Sequence, residues 1–309
     1  MAHRGKWVIA AVGVLALVAA GCGDDDASSS TADPSQAPVV KVVASFYPLA
    51  ELASRIGGDR VEVTNLTPPG AEPHDLELTT DQFDSILDAD LVLYLGPDFQ
   101  PAVADAADER SGGALDLTTA VALDKDDADG GHGADPHFWL DPTLLAAAAD
   151  AVQAELTRVA PDDADTFAAN ADAYRAELTQ LDADFQTALT GCARDEIVTA
   201  HAAFHYLAAR YGLQQLAITG LSPESEPDPS RLDELADLVQ RDGITTIFYE
   251  TLVSPDIAET LARETGAATA VLNPIEGLTK NQIAAGDDYE SAQRANLAAL
   301  VAALGCPAG

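Results

Sequence analysis

The chain has 309 residues, 47% of them apolar, which is enough for two ordinary globular domains with sizeable cores. It carries 51 Asp and Glu against 16 Lys and Arg, a formal net charge of −35. This charge argues against nucleic acid as a partner, because a polyanion would be repelled, and it favours solubility and the attraction of cations.

The N-terminal residues have the pattern of an export signal. A short basic start precedes an apolar run, Trp7 to Ala20, that is too short for a comfortable membrane span. The run ends in LVAAGC, which resembles a bacterial lipobox with Cys22 as the acylated residue; an ordinary secretory signal with an incidental cysteine is the alternative. We expect a signal peptide over 1–21 and a flexible tether over 22–38, which would anchor the protein by lipid to the extracytoplasmic face of the cell membrane.

Strand and helix patterns alternate after the tether. VVKVVASF is a valine-rich run typical of a buried parallel strand, and YPLAELASRIGG predicts a helix closed by glycine. VEVTNLTPPG predicts a second strand, DQFDSILDA a helix and DLVLYLG a third strand. This alternation predicts a parallel sheet with helical crossovers in an N-terminal lobe over 39–160, with an exposed acidic loop at 124–135.

A long helical stretch separates the two halves of the chain. The pattern is alanine-rich and helical from Pro142 to about Ala160, and apolar residues keep helical spacing from Asp162 to about Thr190. A helix of that second length would extend roughly 40 Å. We predict a rigid spine helix over 161–191.

The alternation then restarts in a C-terminal lobe over 192–309. The predicted strands are EIVTA, LQQLAIT, ITTIFYE and AATAVL, and each is followed by a helical segment, the first of which is predicted to begin at His201. The predicted fold is α/β, with two Rossmann-like lobes of parallel sheet flanked by helices and joined by the spine helix. Such lobes leave a cleft at the strand ends, where open sheets bind ligands.

Two cysteines remain after the predicted lipidation site, Cys192 and Cys306. An exported protein meets an oxidising compartment, which favours a disulfide between them. Two free buried thiols are the alternative.

Four candidate metal ligands follow or lie close beyond predicted strands, two in each half of the chain: His74, His137, His201 and Glu276. Three imidazoles and one carboxylate form a tetrahedral set that suits Zn²⁺. Prolines stiffen three of their segments, PPGAEPHDLELT, DPHFWLDP and NPIEGLT, which lowers the entropy cost of ordering a ligand. A single histidine is more often a surface or hydrogen-bonded residue, so the prediction depends on the four together.

Nearby carboxylates are candidates to orient the imidazoles. Asp75 directly follows the first histidine and could accept its second ring N–H, and Asp135 or Asp141 could do the same for the second histidine. Glu250, in FYETLVSP, is a further candidate acceptor in the cleft.

Two other histidines lie outside the predicted set. His205 follows His201 by four residues, and we interpret it as a packing or hydrogen-bonding residue on the same helical face. HAAFH has the outer spacing of a zinc peptidase helix, but Ala202 stands where the catalytic glutamate would be. His132 lies in the acidic loop, where a plain loop and a weak cation-gathering role are both open.

PHDLELT, DPHFWLDP, TAHAAFHYLAARYGL and LNPIEGLT resemble the four signature segments of the cluster A-I solute-binding lipoproteins, the TroA-like superfamily. The resemblance runs from about Val39 to the C-terminus. It implies a non-enzymatic receptor that delivers Zn²⁺ to the permease of an ABC importer. It also implies that His74, His137 and His201 are ligands. Histidine at the third position favours zinc, since manganese-type members typically have glutamate there.

The fourth ligand is less defined by the resemblance. Many members carry aspartate where this chain has Asn273, and a neutral amide is a poor zinc ligand. Some zinc lipoproteins with an EGLT segment use its glutamate, which implies Glu276, with water as the alternative.

Three other functions stay open from the sequence. A manganese receptor of the same family is one. A zinc-dependent hydrolase would need an open metal position and a base, for which a non-ligating Glu276 would serve, yet no HExxH motif or nucleophile elbow occurs. A cell-surface adhesin could coexist with transport.

Overall fold

The structure, a computed structural model, describes residues 39–123 and 135–307. The predicted signal peptide, the tether with Cys22, and the acidic loop with His132 therefore lie outside the described residues. None of the described helices combines the length and apolarity needed to cross a bilayer.

The first sheet is fully parallel, with strand order β2-β1-β3-β4. Its strands are β1 (Val40–Ala44), β2 (Val61–Asn65), β3 (Leu91–Tyr94) and β4 (Gly113–Asp116). The central strand β1 is apolar and buried along nearly its whole length, as expected for a parallel strand covered on both faces. The edge strand β4 was not predicted, because its sequence GALD contains only one large apolar residue.

Helices cover this sheet and continue toward the second half of the chain. They are α1 (Tyr47–Gly57), α2 (Thr80–Asp88), α3 (Pro101–Asp108), α4 (Leu117–Ala120) and α5 (Pro142–Val159). The predicted helices α1, α2 and α5 are present. The sequence analysis did not anticipate α3 and α4, which are short and lie between weakly patterned segments.

The spine helix is α6, Ala164–Ala188, with 25 residues and a length of about 37 Å. It is shorter than predicted at both ends, because Pro161–Asp163 forms a separate 3₁₀ turn and Gly191 follows with φ 74°. α6 contacts α1, α5 and the C-terminal helix, and thus packs against elements of both lobes.

The second sheet repeats the topology of the first, with parallel strand order β6-β5-β7-β8. Its strands are β5 (Glu196–Thr199), β6 (Gln214–Ala217), β7 (Thr246–Tyr249) and β8 (Ala268–Val271). All four were predicted to within two residues at their starts. The two-lobed α/β fold expected from the sequence is confirmed.

The helices of the second lobe are α7 (His205–Tyr211), α8 (Pro229–Asp242), α9 (Asp256–Thr265), α10 (Lys280–Ala285) and α11 (Tyr289–Leu304). The prediction that a helix begins at His201 is wrong, since α7 begins at His205. The backbone N–H of His201 donates to the Glu250 carboxylate, and its carbonyl accepts from the Thr199 hydroxyl. Both backbone groups therefore bond to side chains instead of forming helical hydrogen bonds. Residues 201–204 form a loop directly beyond β5.

A disulfide between Cys192 and Cys306 joins the start of the second lobe to the residues after α11. Hydrogen bonds reinforce this junction, because the backbone N–H of Ala193 and the guanidinium of Arg194 donate to carbonyls at the end of α11. The C-terminal segment is thereby fixed next to β5.

The largest apolar cluster extends through both lobes. It runs from β1 and α1 through Trp139, α5 and α6 to Leu272 and α11. Two smaller clusters lie on the remaining faces of the sheets, one in each lobe. The two lobes therefore share one core.

Candidate metal centre

Four predicted ligands from separate loops converge between the lobes: His74, His137, His201 and Glu276. The Glu276 Oε1 atom lies 3.2, 3.1 and 3.4 Å from the Nε2 atoms of the three histidines in that order, and the last two Nε2 atoms are 3.4 Å apart. A tetrahedron around zinc with bonds of about 2.0–2.1 Å has edges of roughly 3.3–3.4 Å. These four separations fit two ligands of one zinc ion, and all four donor atoms lie within 4.8 Å of one another.

Burial separates the four residues into two groups. The side chains of His137, His201 and Glu276 are 0% exposed, whereas that of His74 is 10% exposed. The second carboxylate oxygen of Glu276 has no hydrogen-bond partner among the described residues, and an unpaired buried carboxylate oxygen is costly. A cation at the centre would compensate this carboxylate.

His137 is held by the turn on which it lies. Its ring Nδ1 and its backbone N–H both contact Asp135 Oδ1, at 2.7 and 2.9 Å. A ring that donates through Nδ1–H presents the Nε2 lone pair to a metal. The 3₁₀ turn Phe138–Leu140 follows directly, and Leu140 N–H donates to the His137 carbonyl. Pro136 restricts the backbone just before His137.

His201 is oriented in the same way from the second lobe. Its Nδ1 lies 2.6 Å from Glu250 Oε1. His201 follows β5 and Glu250 follows β7, and these neighbouring strands mark the point where the strand order reverses. Ligands of open α/β sheets bind at such a switch point.

His74 lies on the loop between β2 and α2. Its backbone N–H donates to Glu72 Oε1 at 3.1 Å, and Gln100 fixes the preceding proline by donating to the Pro73 carbonyl. The side chain of Asp75 is exposed and makes no hydrogen bond to the His74 ring within the described part of the chain. Asp75 was expected to orient the His74 ring, but the carboxylate that contacts this loop is that of Glu72.

Glu276 is aimed by an unusual backbone. Ile275 has φ 56°, the left-handed region that a β-branched residue rarely adopts. Its N–H donates to the Asn273 side chain, and Asn296 in turn bonds both backbone groups of Asn273. Such a conformation persists only where its surroundings impose it. Asn273 thus shapes the loop, and its amide is occupied there rather than at the centre.

Two further sequence candidates have other positions. Asp141, proposed to orient His137, instead caps α5 by accepting from the N–H and hydroxyl of Thr143 at 2.7 and 2.8 Å. His205 is the first residue of α7 rather than four residues along a shared helix. The sequence analysis missed Glu72, for which the only signal was its place two residues before His74.

The charges in the centre stabilise one another. Burial opposes the charge on both buried rings, but the adjacent carboxylates outweigh burial and raise the pKa of His137, and that of His201 to about 10. Burial by itself raises the pKa of Glu276, yet the three imidazoles hold it well below its usual range. Burial lowers the pKa of His74, and burial beside Glu276 raises the pKa of Glu72 to about 8.

These pKa directions predict that zinc binding releases protons. At neutral pH, below the raised pKa of about 10, the buried His201 ring carries a proton that zinc must displace from Nε2, and the raised pKa of His137 acts in the same direction. We expect zinc affinity to fall as the pH is lowered from neutral toward 5.5. Calorimetry in buffers of different ionisation enthalpy measures the released protons. An observed heat that is independent of the buffer would contradict the prediction.

The carboxylate that orients His201 predicts a second effect. Glu250→Gln keeps the side-chain volume but replaces the charged acceptor, and loss of such a partner typically weakens metal affinity about 10–100-fold. Glu264→Gln, an exposed change in the same lobe, should leave affinity unchanged. Competition with a zinc-chelating dye measures both variants, and equal affinities would show that Glu250 does not act on the ligand.

Comparison with known proteins gives consistent matches. The family model described as "Zinc-uptake complex component A periplasmic" matches residues 42–303. The chain is 35% identical over 284 residues to the Zinc-binding protein AdcA of Streptococcus pyogenes serotype M18, covering 84% of this chain and 55% of that relative. It is 34% identical over 310 residues to the High-affinity zinc uptake system protein ZnuA of Bacillus subtilis, covering 96% of both.

Solved structures agree with the sequence matches. The Zn(II)-bound ZnuA-like domain of Streptococcus pneumoniae AdcA has a TM-score of 0.75 and 36% identity, and the match covers 86% of this chain and 99% of that one. The chain spans about half the length of the streptococcal sequence relative given above.

Proposed function

We propose that this protein is a receptor that binds Zn²⁺ outside the cytoplasm and delivers it to an ABC importer. The chain belongs to the periplasmic zinc-uptake component A family, whose model matches residues 42–303. The observation that carries this proposal is the convergence of three imidazole nitrogens and one carboxylate oxygen within 4.8 Å of one another. His74, His137, His201 and Glu276 are the ligands in this proposal, and Zn²⁺ is the transported ion.

A closed set of four protein ligands favours binding over catalysis. Catalytic zinc sites use three protein ligands and keep a position open for water, whereas sites with four protein ligands are closed. With Glu276 as the fourth ligand, no carboxylate of the set is left to act as a base. The protein is therefore proposed to hold its ion rather than to activate water on it.

The donor set also favours zinc over manganese. Imidazole nitrogens suit Zn²⁺, while Mn²⁺ prefers carboxylate, carbonyl and water oxygens. The single oxygen ligand is outnumbered by three nitrogens. His201, the third ligand along the chain, is anchored by Glu250 in the orientation that presents its nitrogen.

The cellular setting is proposed from the N-terminal sequence and the family. A signal peptide over 1–21 would direct export, and acylation at Cys22 with a tether over 22–38 would hold the protein beside the membrane. The proposed boundaries are 39–160 for the first lobe, 161–191 for the spine helix and 192–309 for the second lobe. The relative from Streptococcus pneumoniae strain R6 is named a zinc-binding lipoprotein. The permease of a zinc importer is the proposed partner.

Metal titration of the purified protein tests the proposal. We expect one Zn²⁺ per chain, bound in competition with a strong chelator, and Mn²⁺ bound more weakly, because the ligand set matches zinc. Tighter binding of Mn²⁺ than of Zn²⁺ would contradict the choice of zinc and make Mn²⁺ the transported ion. Chelator-sensitive turnover of ester or peptide substrates would overturn the receptor function.

A further inference from the structure

Helix α11 carries a buried polar face. Tyr289, Gln293 and Asn296 follow one another at spacings of four and three residues, which places them on one side of the helix. All three side chains are buried. Burying a polar group costs free energy unless it is hydrogen-bonded, so the partners of this face indicate what it does.

Two of these side chains bind the turn that follows His137. The Tyr289 hydroxyl donates to the Trp139 carbonyl, and Gln293 Nε2 donates to the Leu140 carbonyl at 3.3 Å. The N–H of Leu140 donates in turn to the carbonyl of His137. A helix of the second lobe therefore holds the ligand-bearing turn of the first.

The third side chain, Asn296, binds the loop that carries Glu276. Its Oδ1 accepts the Asn273 N–H and its Nδ2 donates to the Asn273 carbonyl, both at 2.7 Å. The side chain of Asn273 accepts the N–H of Ile275 at 2.8 Å, and Ile275 is the residue with φ 56° directly before Glu276. One buried amide thus fixes the segment that imposes this left-handed conformation.

On the premise of the proposed zinc-receptor function, we infer that Asn296 is the positioning residue of the fourth ligand, because it keeps the Glu276 carboxylate beside the imidazoles. Without the amide, both backbone groups of Asn273 lose their buried partner. Ile275 is then released to an ordinary conformation, since a left-handed β-branched residue persists only where its surroundings impose it. The carboxylate at the next position turns away from the centre. Both polar atoms of the Asn296 side chain bond to backbone, so its effect on the ion passes through Glu276.

A double-mutant cycle on the full protein tests this inference, with zinc affinity measured by competition with a chelating dye. Asn296→Leu keeps a side chain of similar size and removes both hydrogen bonds. We expect it to weaken zinc binding by about 10-fold, the lower end of the effect of losing a group that orients a ligand. In a Glu276→Ala background, where three imidazoles still offer a site, the same change should weaken binding by about twofold at most, because no fourth ligand remains to be positioned.

The visible spectrum of the Co²⁺-loaded protein gives a second readout, because it reports the ligands of the ion rather than the stability of the fold. We expect the Asn296→Leu spectrum to shift toward that of Glu276→Ala. Leu300→Ala is the matched control, since Leu300 is fully buried one turn further along α11 and its side chain cannot form hydrogen bonds. It should lower the free energy of unfolding in urea without changing the zinc affinity or the Co²⁺ spectrum.

An unchanged zinc affinity in Asn296→Leu overturns the inference, and so does an equal loss of affinity in both backgrounds or a Co²⁺ spectrum identical to that of the unmodified protein. If Asn296→Leu does not fold, Asn296→Ala removes the same two hydrogen bonds without the bulk of leucine and takes its place in the cycle, with the same expected coupling. These outcomes leave the proposed function intact, whereas failure of the unmodified protein to bind zinc would overturn that function and this inference together.

Discussion

Replacing His137 or His201 with alanine should weaken zinc binding by more than the roughly 10–100-fold that loss of an outer hydrogen-bond partner causes. Both rings are fully buried and their Nε2 atoms lie 3.4 Å apart at the centre. Each substitution removes one of four donors and also leaves a buried carboxylate, Asp135 or Glu250, without its ring partner. An uncompensated buried charge adds to the loss of the ligand.

His205→Ala is the control for these two variants. His205 lies on α7, four residues beyond His201, and belongs to the same lobe but not to the converging set. Its substitution should leave zinc affinity within twofold of the unmodified protein. Competition with a chelating dye gives the affinities, and circular dichroism verifies that each variant is folded. Undiminished affinity in a folded His137→Ala or His201→Ala variant would remove that residue from the centre.

Trp139→Ala should destabilise the protein by about 3–5 kcal/mol, the usual cost of truncating a large buried aromatic side chain. The side chain is completely buried, and its ring contacts Phe46 and His137. Its indole N–H donates to the Pro274 carbonyl at 2.7 Å, which joins the His137 turn to the Glu276 loop. The variant should therefore also bind zinc more weakly, because two ligands lose their common support.

Trp139→Phe separates packing from the hydrogen bond. Phenylalanine retains most of the buried ring but leaves the Pro274 carbonyl without the indole donor, a loss of about 1–3 kcal/mol. Urea unfolding followed by circular dichroism gives both free energies without requiring tryptophan fluorescence. A Trp139→Ala variant as stable as the unmodified protein would show that this residue does not hold the two loops together.

The sequence was most informative about strands and ligand-bearing loops. In an alternating α/β pattern, a valine-rich run such as that of β1 predicts a buried strand. Proline and glycine residues identify the loop segments that contain His74, His137 and Glu276. The strand β4 was missed because a short element with one large apolar residue has no clear pattern of its own. The helix α10 was also missed, although Thr279 and Gln282 form a capping box and Gly286 ends the helix.

Side-chain partners were predicted less well than the convergence of the four candidate ligands. Asp135 precedes His137 and Asp141 follows it, and only the backbone path decides that the first contacts the ring while the second caps α5. Likewise, Asp75 is adjacent to His74 in sequence but exposed, whereas Glu72 folds back to its N–H. The left-handed conformation of Ile275 had no signal in its residue type.

The apolar cluster that runs through both halves of the molecule bears on how the ion leaves. Swinging the halves widely apart would expose this interior to water, at about 25 cal/mol for each Å² of apolar surface uncovered. Rearranging the ligand-bearing segments alone leaves that interior dry. Under the proposed receptor function, release of the ion is therefore expected to be a short-range event, in which individual loops move while the bulk of the protein stays closed.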